Sequence, residues 1–198
     1  MPCVFDVSII DDSIKRPAVF LDRDGVLIKE KSYIISLDQI EIFPYTADCI
    51  RQIHQKGYYA IVITNQSGIA RGLFTEMKLQ EMNRYLIQQI KIDALYYCPH
   101  HPEGKLIEYR EVCNCRKPKA GMFEKACQSF DIDMQNSYMV GDRADDIMAG
   151  KNVRVKTILL ESGYGTNRLE YQIEPDYVLN DLRDVIKILP EAKAASPN

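Results

Sequence analysis

The soft metal ligands of this chain are concentrated in residues 96–121, YYCPHHPEGKLIEYREVCNCRKPKAG. Three of the six cysteines and two of the three histidines lie in this stretch. Cys98, His100, Cys113 and Cys115 follow the spacing C-x-H-x12-C-x-C. Three thiolates and one imidazole are a ligand set that closes a tetrahedral zinc site. The spacing therefore predicts a structural zinc ion held by these four side chains.

The sequence leaves alternatives open at this cluster. His101 competes with His100 for the imidazole position, although C-x-H at one end of the stretch mirrors C-x-C at the other. A cluster of free thiols is the other interpretation, and the number and spacing of the ligands favour zinc over it. Cys49 and Cys127 fall within predicted helices and are expected to be core thiols. Cys3 has no assigned role.

Carboxylates follow two apolar, strand-like runs. Asp22 and Asp24 come after AVFL, and Asp142 comes after YMVG. One aspartate at a strand end is most simply a turn residue. Carboxylates brought together from two neighbouring strand ends repel each other unless a cation lies there, and hard oxygen ligands suit Mg²⁺. The pattern therefore predicts a magnesium site between these strand ends.

Asp145 and Asp146 follow the second of these strand ends. The main interpretation is that they begin a helix, because acidic side chains favour its positive end. Asp145 is also considered as an outer partner of the cation.

Further polar groups at 63–68, ITNQSG, are suited to binding phosphate. The Thr64 hydroxyl, the Asn65 backbone and Gly68 can hold a phosphate oxygen, although a capped turn is the simpler interpretation. Lys117, just after the cysteine-rich stretch, can neutralise a phosphoryl group. A lone lysine is more often a solvated surface charge. The co-occurrence of these residues with the carboxylates favours phosphate chemistry.

The elements that must position these residues alternate along the chain. Apolar, β-branched runs predict strands, helical patterns separate them, and such alternation is typical of an α/β fold whose parallel sheet is covered by helices on both faces. Ligands of these sheets bind beyond the carboxyl ends of the strands. The predicted strands are 18–22, 58–64, 93–98, 137–142, 155–160 and 176–180, and the predicted helices are 46–57, 75–91, 121–132, 144–152 and 181–189.

The helix at 75–91 has the strongest pattern. Thr75 is its expected N-cap. An apolar stripe is expected to face the core and is formed by Met77, Leu79, Met82, Leu86 and Ile90. We expect one domain over residues 17–190, an N-terminal extension or edge strand within residues 1–16, and a tail at 191–198.

Composition limits the partners. The 198 residues are 46% hydrophobic, and the net charge is -3. This balance predicts neither a nucleic-acid-binding face nor a polybasic membrane patch. No apolar run approaches the ~20 residues that span a bilayer, and no secretory signal is evident. We therefore expect a cytoplasmic protein, where thiols stay reduced and are free to bind metal.

Four signatures occur in the order of the haloacid dehalogenase (HAD) superfamily of phosphohydrolases: D-x-D-G at 22–25, Thr64, Lys117 and G-D at 141–142. Residues from about 17 to 165 resemble this superfamily. The resemblance implies a Rossmann-like HAD core, and the gaps between signatures leave no room for a separate cap domain. It implies Asp22 as the nucleophile and Asp24 as general acid and base. It further implies phosphoryl contacts from Thr64 and Lys117, and Mg²⁺ bound by Asp22, the Asp24 backbone carbonyl and Asp142.

Within the superfamily, CPHHPEG and CNCRKPKAGM are similar to the heptose bisphosphate phosphatases, whose zinc loop is long. This resemblance implies removal of the 7-phosphate of a heptose 1,7-bisphosphate, a step toward nucleotide-activated heptose for lipopolysaccharide core or surface glycan. Cations at 116 and 143 suit a ligand with a second phosphate. The implied substrate contacts are Glu30, Lys31, Ser32, Tyr33, Asn65, Gln66, Ser67, Arg116 and Arg143.

Two other functions remain open from the sequence. One keeps the chemistry and changes the substrate to histidinol phosphate or another small phosphomonoester. The other is a non-catalytic zinc-knuckle module that binds a partner. The anomer of the sugar is not determined, nor is whether zinc serves activity or only folding. Without a cap domain, a monomer is expected.

Overall fold

The computed structural model of the protein describes residues 5–7, 15–164 and 173–192. The strands form one seven-stranded sheet in the order β1-β4-β3-β2-β5-β6-β7. The pairs from β4 to β7 are parallel, and β1 pairs with β4 antiparallel. The strands are β1 Phe5–Val7, β2 Ala18–Leu21, β3 Tyr59–Asn65, β4 Ala94–Cys98, β5 Tyr138–Gly141, β6 Lys156–Leu160 and β7 Tyr177–Leu179.

Register aligns the carboxyl ends of four consecutive strands of this sheet. Leu21 pairs with Val62 on one side and with Val140 on the other. Asn65 pairs with Cys98. Because β4, β3, β2 and β5 are neighbours and parallel, the polar groups that follow them meet at one edge. The fold class expected from the sequence is confirmed.

The helices are α1 Thr46–Gln55, α2 Glu76–Ile90, α3 Gly121–Ser129, α4 Ala144–Asn152 and α5 Leu182–Ile188.

Alternating side chains of the central strand, β2, enter two separate cores. Val19 and Leu21 pack with α1, α2 and α5, whereas Ala18 and Phe20 face the other side of the sheet, with α3. There the ring of Phe20 meets that of Phe123 edge to face, with centroids 4.8 Å apart. Both faces of the sheet are therefore covered, as the continuously apolar strands predicted.

The segments that join these elements show how the active face is built. Residues 22–45 and 99–120 are loops with single 3-10 turns, at Leu37–Gln39 and Ile107–Tyr109. The second of them, 99–120, is the cysteine-rich loop. Within the described ranges no separate cap domain interrupts the core, as expected. Part of the N-terminal stretch is an edge strand, β1. The proposed boundaries at 17 and 190 stay a prediction, and most of the tail lies outside the described residues.

Two helical details differ from the sequence-based expectation. Leu79, Met82, Leu86 and Ile90 are buried, but Met77 is 77% exposed, so the apolar stripe of α2 begins two residues later, at Leu79. Thr75 is the N-cap as predicted, and its hydroxyl accepts from the Lys78 N–H.

Cys49 is buried, whereas the expectation that Cys127 is a core thiol is wrong, since it lies on the exposed side of α3. No helix in the described part of the chain is long and apolar enough to cross a membrane.

The stripe of α2 predicts the stability of two matched variants. Leu79→Ala removes a fully buried side chain from the core and should lower the free energy of unfolding by ~2–5 kcal/mol. Met77→Ala, on the exposed side of the same helix, should change it by less than ~0.5 kcal/mol. Urea unfolding followed by circular dichroism measures both. Equal losses in the two variants would contradict this assignment of the buried face.

Candidate active site and metal centres

A buried lysine stands at the centre of the polar edge. Lys117 is 2% exposed, and its Nζ lies 2.9 Å from Asp22 Oδ1 and 2.6 Å from Asp146 Oδ1. The same Nζ donates to the Ile63 carbonyl at 2.8 Å. Burial by itself lowers the pKa of Lys117, but Asp146 and Asp22 outweigh it and raise the net pKa. The ammonium is therefore firmly charged.

The backbone of this lysine is held as closely as its side chain. The Asn65 side-chain amide donates to the Lys117 carbonyl at 3.1 Å, and Asn65 Oδ1 accepts from the Lys117 N–H at 3.0 Å. A residue at the end of β3 thus fixes the return point of the cysteine-rich loop.

Carboxylates are in excess around this ammonium. Asp22, Asp142 and Asp146 are buried, and each contributes an oxygen to a group whose members all lie within 4.8 Å of one another. Burial, together with Asp146 and Asp22, raises the pKa of Asp142 to about 8. Its Oδ1 is buried without a hydrogen-bond partner among the described residues. Three carboxylates facing one ammonium leave two negative charges, so this donor set fits one divalent cation with a preference for oxygen.

Gly25 explains why the first signature ends in glycine. Its φ is +81°, in the left-handed region that favours glycine. A Cβ at this position would lie 2.2 Å from Asp142 Oδ2. The turn after β2 therefore lies closer to Asp142, at the end of β5, than a side chain at position 25 would allow.

Asp24 lies in a network of its own. Arg23 Nε donates to Asp24 Oδ2 at 3.1 Å, and Arg23 Nη2 donates to Asp24 Oδ1 at 3.0 Å. Gln66 Nε2 donates to Asp24 Oδ2 at 2.9 Å and to Thr64 Oγ1 at 3.0 Å. Gln66 Oε1 accepts from Arg23 Nη2. Gln66, which lines the pocket, thus joins Asp24 to the buried Thr64 through hydrogen bonds.

The rim of the pocket carries further charged groups. Arg143 Nη2 donates to Glu30 Oε2 at 3.2 Å, and the guanidinium stands 4.2 Å from the centroid of the Tyr164 ring. Burial and the neighbouring Asp24 raise the pKa of Glu30, which Arg143 partly offsets. Arg116 Nη1 donates to the His100 carbonyl, which ties the rim to the cysteine-rich loop.

The cysteine-rich loop brings its four predicted ligands together. The Sγ atoms of Cys98 and Cys113 are 3.4 Å apart, and those of Cys115 and Cys113 are 3.3 Å apart. His100 Nδ1 lies 3.4 Å from Cys115 Sγ and 3.8 Å from Cys98 Sγ. This cluster of three sulfurs and one imidazole nitrogen fits a metal with soft ligands. His101 turns away, since its Nδ1 accepts from the Glu103 N–H.

A hydrogen-bonded clamp holds the far side of the loop. Tyr97 and Tyr109 donate their hydroxyls to the two oxygens of Glu76, at 2.6 Å and 3.1 Å. Glu76 lies in the first turn of α2, Tyr97 lies in β4, and Tyr109 lies in the loop. The cysteine-rich loop is therefore attached to the core both at its ligand cluster and at this clamp.

Comparison with known proteins agrees with this geometry. A family model described as HAD-hydrolase-like matches residues 114–185. The D-glycero-beta-D-manno-heptose-1,7-bisphosphate 7-phosphatase of Haemophilus ducreyi is 40% identical over 86% of this chain and 97% of its own. The enzyme of the same name from Escherichia coli K12 is 40% identical over 89% and 93% of the two chains. The chain belongs to this family of HAD phosphatases.

A solved member of the family has the same fold. The D,D-heptose 1,7-bisphosphate phosphatase of B. bronchiseptica, complexed with magnesium and phosphate, superposes with a TM-score of 0.75 at 30% identity. The match covers 86% of this chain and 96% of that one.

Most residues that the family resemblance pointed to surround one pocket. Glu30, Ser32, Tyr33, Asn65, Gln66, Ser67, Arg116 and Arg143 line it with Asp22, Asp24 and Lys117. Thr64 and Asp142 lie just beneath, 1% and 0% exposed. Lys31 is exposed, and its Nζ donates to the Gln39 carbonyl on the outside of the loop.

Sequence reasoning missed two residues of this site. Asp146, rather than Asp145, joins the carboxylate group, because it occupies the third position of α4 and accepts from the Arg143 N–H. Both aspartates are suited to the start of a helix by residue type. Only the direction in which the first turn of α4 points each side chain distinguishes them, and the sequence does not show it. Arg23 lies between two predicted catalytic residues, and an arginine in such a loop gives no signal of burial.

The carboxylate group predicts how stability depends on pH without Mg²⁺. The pKa of Asp142 is about 8 in the folded chain, so between its ordinary value near 4 and about 8 the folded form binds a proton that the unfolded form releases. The free energy of unfolding should therefore fall with rising pH over this window, by at most ~1.4 kcal/mol per pH unit for this group. Urea unfolding at several pH values measures the slope.

Two comparisons test whether Asp142 causes this slope. Asp142→Asn should flatten it, and added Mg²⁺ should stabilise wild type most at the high-pH end, where the carboxylate is ionised. The same slope in wild type and Asp142→Asn would contradict the assignment.

Proposed function

We propose that this protein is a Mg²⁺-dependent phosphatase that removes the 7-phosphate of D-glycero-β-D-manno-heptose 1,7-bisphosphate. The observation that carries the proposal is the buried Asp22, which faces the pocket beside Lys117 and the two other carboxylates. The names of relatives 40% identical to this chain support the substrate and the β-anomer. The product, heptose 1-phosphate, would serve the synthesis of nucleotide-activated heptose for surface glycans.

Asp22 is the nucleophile in this proposal. Its Oδ1 accepts from Lys117 Nζ and, at 2.8 Å, from the Arg23 N–H. These two donors fix the position of the Asp22 carboxylate. A carboxylate oxygen of Asp22 attacks phosphorus and forms an aspartyl phosphate, and the bond from phosphorus to the sugar oxygen breaks. Water then attacks the same phosphorus, and the Asp22 carboxylate is released.

Asp24 moves the protons in both steps. It donates a proton to the departing sugar oxygen, then takes one from the attacking water. Its side chain is 20% exposed, which gives it access to the pocket. Thr64 binds a phosphoryl oxygen through its hydroxyl. The three donors of Lys117 Nζ already reach Asp22, Asp146 and the Ile63 carbonyl, so Lys117 stabilises the phosphoryl group through its positive charge.

Mg²⁺ would be held by the carboxylates of Asp22 and Asp142 and by the backbone carbonyl of Asp24. When bound, it offsets the repulsion between the nucleophile and the phosphate. Asp142 Oδ1, which has no hydrogen-bond partner within the described part of the chain, and the two uncompensated charges support this site. Asp146 keeps Lys117 in place beside it.

The second phosphate of the substrate would be recognised at the rim. Arg116 and Arg143 are the cations that line the pocket beyond Lys117 and Arg23. Arg143 is held by Glu30 along one edge, which leaves its other donors for phosphate oxygens. Glu30 itself is suited to accept from sugar hydroxyls, as are the polar groups of Ser32, Ser67 and Tyr33.

We also propose that the cysteine-rich loop binds a structural zinc ion through Cys98, His100, Cys113 and Cys115. Four protein ligands leave no open position for catalysis. The ion would tie Cys115, and with it Arg116 and Lys117, to the end of β4. Reduced thiols are needed for this site, which supports a cytoplasmic location. We propose a monomer.

Phosphate release tests the function. With Mg²⁺, the purified protein should release one phosphate from the β-heptose bisphosphate with a higher kcat/KM than from the α-anomer or from histidinol phosphate. Asp22→Asn should abolish turnover, because a carboxamide cannot act as the nucleophile.

The other substrates decide between the alternatives. Preference for histidinol phosphate would keep the chemistry and overturn the substrate. No release above the Asp22→Asn background from any ester would contradict the phosphatase itself and favour a zinc-knuckle binding module.

The zinc proposal predicts metal content and stability. Elemental analysis should find one zinc per wild-type chain. Cys113→Ser should lose most of it and unfold at a lower temperature, since metal binding contributes to folding. Cys127→Ser, an exposed thiol outside the cluster, is the matched control and should keep the zinc. Full zinc in Cys113→Ser would contradict this ligand set.

A further inference from the structure

The guanidinium of Arg23 is a buried cation that the proposed mechanism does not use. Arg23 is 2% exposed, so its charge is removed from water, which is costly unless the group is paired and hydrogen-bonded. The sequence and the family resemblance assign its side chain no role. Its donors nevertheless reach three other residues around the pocket.

The contacts of Arg23 converge on Asp24. The planar fork places Nε 3.1 Å from Oδ2 and Nη2 3.0 Å from Oδ1, which is a two-point contact with one carboxylate. Gln66 bridges the pair, since its Oε1 accepts from Arg23 and its Nε2 donates to Asp24 Oδ2. Asn83, fully buried in α2, accepts from Arg23 Nη1 at 3.4 Å. The guanidinium of Arg23 is therefore fixed by hydrogen bonds to Asn83 of α2 and to Gln66.

The two oxygens of Asp24 are used unequally. Oδ2 accepts from Arg23 and from Gln66, whereas Oδ1 accepts from Arg23 alone. A carboxylate has about four lone-pair positions, so Oδ1 has more capacity left for a proton or a water molecule. The partial exposure of the Asp24 side chain places this capacity at the pocket.

We propose that Arg23 is a positioning residue, which directs Oδ1 of Asp24 toward the leaving-group oxygen of the substrate. The inference rests on the proposed function, in which Asp24 donates that proton. As the bond from phosphorus to the sugar oxygen breaks, its electron pair stays on the sugar oxygen, and the proton on Asp24 Oδ1 moves to it. The Asp24 carboxylate that remains is held by Arg23 and Gln66. The Arg23 side chain acts through Asp24 and has no contact with the substrate in this proposal.

Leaving-group dependence separates this role from a structural one. A sugar alkoxide needs its proton when it departs, whereas p-nitrophenolate is stable without one. Arg23→Met should therefore lower kcat/KM for the heptose bisphosphate by ~10–100-fold, part of the ~10²–10⁴ that general acid-base catalysis contributes. For p-nitrophenyl phosphate the loss should stay below ~3-fold. Because this proposal gives the Arg23 side chain no contact with the substrate, the loss on the sugar phosphate should come from kcat rather than KM.

Two further variants complete the experiment. Arg23→Lys keeps the charge and loses the fork, so it should show a smaller loss, again confined to the sugar phosphate. If Arg23→Met does not fold, Arg23→Lys carries the same comparison alone. Arg51 is an exposed arginine of α1. Arg51→Met makes the same substitution away from the pocket and should leave kcat/KM for both substrates unchanged. Thermal unfolding and zinc content identify variants that are folded.

The outcomes distinguish the two proposals. Equal losses on both substrates, or no loss on either, in a folded Arg23 variant would overturn the positioning role and leave the phosphatase intact. Failure of the wild-type protein to hydrolyse any phosphate ester would overturn the phosphatase, and the role of Arg23 with it.

Discussion

The ion pairs of one buried ammonium organise the active face of this protein. Lys117 joins the turn after β2, a carbonyl of β3 and the first turn of α4 through Asp22, Ile63 and Asp146. A buried charge is tolerated only where its partners are close and complete. The three elements must therefore keep their relative positions, and the same contacts orient Asp22, the proposed nucleophile. Stability and catalytic geometry depend here on one set of bonds.

Charge balance accounts for the remainder of the site. The ammonium compensates one of three buried carboxylates, and the excess matches one divalent cation. The raised pKa of Asp142, about 8, expresses the cost of ionising it without that cation. Arg23 and Asp24 form a separate neutral pair above this cluster, as do Arg143 and Glu30 at the rim. The charges left without a partner in this balance are those of the proposed metal ligands and of Arg116, which lines the pocket.

The cysteine-rich loop borders the pocket, which Arg116 and Lys117 line at its returning end. It leaves β4 at Cys98 and returns at Lys117, whose backbone is clamped by Asn65. The ligand cluster holds the strand side of the loop, and Glu76 holds its far side through two tyrosines. A loop of this length contributes little apolar core. Metal ligation and buried hydrogen bonds are the interactions that can fix it.

Local chemistry in the sequence determined much of this protein. Apolar, β-branched runs defined the strands, and the spacing of Cys98, His100, Cys113 and Cys115 identified a ligand set before any geometry was known. The four signatures named the residues at the strand ends, since a parallel sheet brings such ends together whatever the details of packing. Only the tertiary structure decided between Asp145 and Asp146, between His100 and His101, and between exposure and burial of Met77 and Cys127. Each of these outcomes depends on the direction in which a turn or a helix points the side chain. The residue types alone do not determine that direction. The burial of Arg23 is the same kind of fact, because an arginine becomes an internal group only when distant partners such as Gln66 and Asn83 surround it.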